Sequence, residues 1–98
     1  MTDTLRQDAA FPGGPAAAAS LLEPLLAGAA GVGAEPVSIT LDYGRVPSAG
    51  DPVTAEAWID RATRTLVFAH ARLTTANGDL VASGSAVFRR QAPALVAV

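Results

Sequence analysis

The sequence predicts an α+β fold in which one buried helix packs against an antiparallel sheet. Three observations predict it. The run Ala16-Ala-Ala-Ala-Ser-Leu-Leu-Glu23 is built almost wholly of strong helix formers. From Val37 onward, apolar and polar residues alternate with the two-residue period of half-buried strands. Ala76-Asn-Gly-Asp79 contains Asn-Gly, the strongest short-range hairpin signal. At 98 residues the chain is expected to form a single domain, 1–98.

Residues 1–10 are polar and read as a disordered end or a short first strand. Phe11-Pro-Gly-Gly14 is a loop signal, and Pro15 suits the first turn of a helix. Residues 12–31 form the central helix region. Pro24 is expected to kink or end that helix, since an interior proline costs about 3 kcal/mol. Gly28, Gly31 and Gly33 offer stopping points. Ser20 and Glu23 are the polar residues around this helix, so it is expected to be buried on most faces. The antiparallel strands lie within 37–90. Val37, Ile39, Leu41 and Tyr43 share one face of the first, and a loop with Pro47, Gly50 and Pro52 follows. Val53–Ile59 alternates again, Asp60–Arg64 is a turn, and Thr65–Thr75 and Leu80–Arg90 are the last two strands. Consecutive hairpins would make a meander, with the helix covering its apolar face. The tail 91–98 is apolar and has no assigned element.

Composition excludes several function classes. Half the residues are apolar and 16% are charged, which excludes disorder. All seven cations are Arg, the net charge is −2, and no stretch is basic, so no nucleic-acid partner is expected. There is no cysteine and one histidine. Disulfides, thiolate nucleophiles and Cys-zinc or two-His metal sites are therefore excluded, and no metal or cofactor is expected. The N-terminal residues are polar and acidic, unlike a signal peptide, and Glu23 and Pro24 interrupt the most apolar stretch, Ala16–Val32. A cytoplasmic protein without a membrane span is expected. One Ala-rich helix against a small sheet is a thin core, which implies that a second subunit covers part of it. His70 shares a strand face with Leu66, Phe68 and Arg72. No nearby Ser or Cys is expected to complete a catalytic triad with it, so it reads as a partly buried, hydrogen-bonded histidine. Trp58 shares a face with Glu56 and suits a subunit interface. Asp51 follows Gly50 and reads as turn chemistry.

Several phrases, in this order and spacing, carry a family likeness. They are Pro12-Gly-Gly14 before an Ala-rich helix, Pro47-Ser-Ala-Gly-Asp51 before a strand, and the hairpin Asp60-Arg-Ala-Thr-Arg64. Asn77-Gly-Asp-Leu-Val-Ala82 and Gly84-Ser-Ala-Val-Phe88 follow. From Phe11 to Arg90 the chain resembles the PaaI-type acyl-CoA thioesterases of the hotdog superfamily. The resemblance implies a central helix wrapped by an antiparallel sheet of four to five strands. It implies homodimers or homotetramers, with an acyl-CoA thioester bound between subunits. It makes Glu23 the candidate catalytic carboxylate and the backbone N–H at Gly14 the candidate oxyanion donor. Gly13 and Ser20 become candidate substrate contacts. Arg61 and Arg64, and similarly Arg89 and Arg90, would hold CoA phosphates, the plainer reading of each being a solvated sheet edge. Two positions depart from the family pattern. The acid usually stands seven residues after the second Gly, and here that residue is Leu21. Pro12 occupies the place of a usual His or Asn and cannot donate a hydrogen bond. The alternative is therefore a non-catalytic hotdog module that binds acyl-CoA or a partner. A helix followed by four antiparallel strands also describes cystatin-like folds, against which the Gly-Gly lead-in and the Pro-rich loop argue.

Overall fold

The computed structural model describes residues 4–90. The element order is β1 (Leu5–Ala10), α1 (Ala17–Ala30), β2 (Glu35–Tyr43), β3 (Pro52–Ala62), β4 (Leu66–Thr75) and β5 (Leu80–Arg89). The five strands form one antiparallel sheet in the order β1-β3-β4-β5-β2, and the helix packs on one of its faces, chiefly over β3 and β4. This is the α+β hotdog arrangement. Of the two readings of the N-terminal segment, residues 5–10 form the edge strand, while residues 1–3 and the tail 91–98 lie outside the described residues.

The expected meander holds for β3, β4 and β5 and fails for β2. Strand β2 pairs with β5, not with β3. The reason is competition for an edge. Strand β1 takes the edge of β3 that a meander would give to β2, from Leu5↔Ala57 to Ala10↔Pro52, and β2 pairs along β5 instead. The β2–β5 pairing is continued by Gly44 and Arg45, whose N–H groups donate to the carbonyls of Val81 and Leu80. Residues 44–51 then carry the chain across to β3.

The expected turn at Asp60–Arg64 is also shorter than expected. Strand β3 runs on to Ala62, and Asp60 is the extra residue of a β-bulge between Ile59↔Ala69 and Arg61↔Phe68. The hairpin at Asn77-Gly78 forms as expected. Gly78 has φ +86°, its N–H donates to Thr75 O, and Thr75 N–H donates to Asp79 O. That is a three-residue loop needing a left-handed residue at its third position, which glycine supplies.

Helix α1 passes through Pro24 without ending. Burial decides this. Leu22 and Leu26 flank the proline, face the sheet and are both fully buried. At about 1.5–3 kcal/mol each, the two leucines outweigh the roughly 3 kcal/mol that one interior proline costs. They seat closely because the inner face of the central strands is small. Ala55, Ala57, Ala69, Ala71, Ala82 and Ala86 are all buried there. A Cβ added at Gly84 would come within 2.9 Å of Leu41 Cδ2 and 3.6 Å of Leu26 Cδ1.

The helix is not buried on most faces within one chain. Ala17, Ala18, Leu22, Leu26 and Ala30 face the sheet, while Ser20, Glu23, Pro24 and Ala27 are exposed on the other side. A single sheet covers only one side of a helix. For the same reason the face expected from Val37, Ile39, Leu41 and Tyr43 is only half covered. Ile39 and Leu41 are half-buried, but Val37 is 49% and Tyr43 60% exposed at an edge the helix does not reach.

Candidate functional site

The candidate residues lie toward two ends of the sheet. At one end, the loop before α1 is stitched to the loop before β3. Phe11 N–H donates to Asp51 O, and Gly50 N–H donates to Phe11 O, both at 2.8 Å. Gly13 (φ +80°) and Gly14 (φ +88°) both hold left-handed conformations. A Cβ on Gly13 would approach Ala49 Cβ to 2.9 Å. Glycine is thus required at 13 by both conformation and space, and at 14 by conformation alone. Asp51 does turn chemistry, as expected: its Oδ2 accepts from Ser48 N–H at 2.9 Å.

Gly14 lines a cleft of about 340 Å³ with Phe11, Pro15, Ala18, Tyr43, Val46 and Val81. The helix starts beside it. Ala16 is the N-cap residue, and no side chain caps the helix. Its first-turn N–H groups are therefore free of a side-chain acceptor, which makes this end electropositive.

Glu23 belongs to a second groove. It is the one acid on α1, and it lines a space of about 360 Å³ between α1 and β2. The other lining residues are Pro24, Ala27, Ala34, Pro36, Ile39 and Phe88, all apolar. Within one chain, Glu23 and Gly14 open into different clefts. Ser20 is engaged locally: its Oγ donates to Ala17 O at 2.7 Å. This is the common back-bond of a helical serine. Leu21, where the resemblance leads an acid to be expected, is half-buried and packs against the core.

The four arginines singled out from sequence gather at the Glu23 end. Arg61 stands opposite Phe68, Arg64 lies in the turn between β3 and β4, and Arg89 stands opposite both Leu66 and Glu35. Arg90 donates from its backbone N–H to Thr65 O, and from Nη2 to Thr63 O at 2.6 Å. None of the four pairs with a carboxylate among the described residues, whereas Arg6, Arg45 and Arg72 all do. Arg61 faces away from the helix, onto the outer side of the sheet. There it lines a space of about 440 Å³ with Asp60, Phe68, His70, Ser85, Val87 and the hydroxyl residues Ser38 and Thr40.

That outer face holds what the sequence reading missed. Strand register lines up Trp58, His70, Ser85 and Thr40 as direct neighbours across β3, β4, β5 and β2. Trp58 and His70 stack with ring centroids 6.2 Å apart, and Arg72 lies 5.7 Å over the Trp58 ring. So a serine does stand beside His70, contrary to expectation. Local sequence carries no sign of this neighbour, because Ser85 is fifteen residues away and meets His70 only through strand pairing. No group of three or more His, Cys, Asp or Glu is placed to hold a metal among the described residues.

A family model for the thioesterase superfamily matches residues 16–82. The match spans the helix, β2, β3, β4 and the start of β5, and so covers Glu23, Arg61 and Arg64 but not Gly13 and Gly14. No curated protein matches the chain. No helix among the described residues is long and apolar enough to cross a membrane.

Proposed function

Because the chain belongs to the thioesterase superfamily, we propose that it is an acyl-CoA thioesterase in which Glu23 is the general base. The observation that carries this reading is the groove between α1 and β2, where one carboxylate stands among six apolar residues. Such a groove takes the acyl portion of a thioester and leaves a single proton acceptor beside it. The reaction is hydrolysis. Glu23 takes a proton from water as the water oxygen bonds to the thioester carbon. The tetrahedral oxyanion collapses, the C–S bond breaks, and the proton passes to the departing sulfur. Amide donors at the start of α1, with Gly14 giving the substrate room, stabilise the oxyanion. Arg61 and Arg64, with Arg89 and Arg90, are free of carboxylate partners among the described residues and suit CoA phosphates.

The site is completed by a second copy. Strand β2 is a free edge with exposed Val37 and Tyr43. Antiparallel pairing of two β2 edges about a two-fold axis sets the Tyr43 end of one copy against the Glu35 end of the other. The Gly14 cleft of one copy then faces the Glu23 groove of the second. A dimer of single hotdog domains, or a pair of such dimers, follows. CoA thioesters are intracellular metabolites, so the reading carries a cytoplasmic location with it.

Leu21 in the place of the usual acid favours a second reading, a hotdog module that binds acyl-CoA without turnover. One assay separates them: thiol release from short, medium, long and aromatic acyl-CoAs, with Glu23→Gln alongside. The thioesterase reading expects turnover that falls at least about 100-fold in the variant. Turnover that survives the substitution removes Glu23 from the mechanism. CoA binding without turnover on any substrate supports the second reading.

A further inference from the structure

We infer that Pro24 is a positioning residue: by withholding an N–H from the Ser20 carbonyl, it leaves that oxygen to hold the attacking water beside Glu23. The inference rests on the reading of Glu23 as general base and adds how its water is held. Helix α1 is continuous from Ala17 to Ala30 with Pro24 at its eighth position. In that register the N–H of residue 24 would donate to the carbonyl of residue 20. Proline has none, and its ring pushes the preceding turn apart. Ser20 O is therefore an acceptor short of its helical donor, and backbone acceptors find partners, commonly water where a helix ladder is interrupted.

Three further facts set this acceptor at the edge of the groove, one helical turn before its lining residues Glu23 and Pro24. Ser20, Glu23 and Pro24 are all on the exposed side of α1. Glu23 and Pro24 together line the groove against β2. The Ser20 hydroxyl is committed to Ala17 O, so it does not occupy the same space as a donor to Glu23. A water on Ser20 O with its second proton toward the Glu23 carboxylate has two acceptors fixed by one helical turn. Its lone pair is left for the thioester carbon. On this account the proline is retained at a cost in helix stability because the broken hydrogen bond is the water site.

The test is Pro24→Ala, which restores the N–H, compared with Glu23→Gln and with lactic acid incorporated at position 24. The lactate has the alanine side chain and no N–H. The expected result for Pro24→Ala is a higher Tm, with kcat lowered about 10- to 100-fold and KM unchanged. The position-24 ester is expected to recover most of the lost kcat. A merely structural proline would not produce that rescue. A high-resolution crystal structure should show water bridging Ser20 O and the Glu23 carboxylate in the wild type and not in Pro24→Ala. Unchanged kcat in Pro24→Ala while Glu23→Gln is inactive overturns the inference and leaves the general base standing. Full activity in Glu23→Gln overturns the reading beneath it and the inference together. Absence of the bridging water overturns the inference whatever the turnover.

Discussion

His70 Nδ1 lies 3.5 Å from Asp60 Oδ2 on the outer face of the sheet. The bulge makes this contact. Asp60 is the residue skipped between Ile59↔Ala69 and Arg61↔Phe68, and the bulge brings its carboxylate beside the histidine that faces Trp58. Both side chains are about half exposed, at 44% and 59%. Solvent and salt screen such a pair, so Asp60→Asn should cost less than about 1 kcal/mol in urea unfolding. A loss of 2 kcal/mol or more would mean that the bulge itself depends on the carboxylate.

Leu22 and Leu26 are the anchors of α1. Each is fully buried between the helix and the alanine-lined inner face of the sheet. Leu26→Ala should cost about 2–5 kcal/mol, since neighbours this small cannot close the cavity. Chemical denaturation reads the loss directly. A loss under 1 kcal/mol would show that the helix is held by something other than this seat.

Gly13→Ala should destabilise where Gly14→Ala does less harm. Both positions have φ near +80° to +90°, and each alanine bears roughly 1–2 kcal/mol for that conformation. Only at Gly13 does the new Cβ also meet Ala49 Cβ at 2.9 Å. The expected outcome is a lower Tm for Gly13→Ala than for Gly14→Ala, measured in parallel melts.

Pro24→Ala should raise stability by up to about 3 kcal/mol, because position 24 is exposed and its helical geometry is already in place. For a chain of this size the upper end of that range is a rise of about 12–24 °C in Tm. A fall in Tm would mean that the ring makes a packing contact worth more than the missing hydrogen bond.

The β2 edge should govern assembly. Light scattering on the wild type is expected to report a dimer or tetramer. Val37→Lys, which puts a charge on the exposed edge without touching the core, is expected to shift it toward monomer. An assembly state indifferent to Val37→Lys would place the contact elsewhere.

Much of the fold was legible in sequence because it is written in local pattern. The Ala-rich run makes a helix, alternation makes β3, β4 and β5, and Asn77-Gly78 makes the hairpin, since each depends on residues within a few positions. Pairing choices were not legible. Which edge β2 takes depends on whether residues 5–10 have already occupied β3, a matter of competition between distant segments. Helix or break at Pro24 depended on two leucines finding an alanine floor on strands that lie far downstream, from Ala55 to Ala86.

The candidate site divides in the same way. Glu23 as the one acid on the helix, and the glycine pair before it, are properties of the sequence alone. That Glu23 faces an apolar groove against β2, that Gly14 opens into another cleft, and that Ser85 stands beside His70 are properties of the tertiary structure. Side-chain chemistry travels with the residue. Its neighbours are set by register and by which surface is left uncovered, and those follow from the free energy of the whole chain's packing.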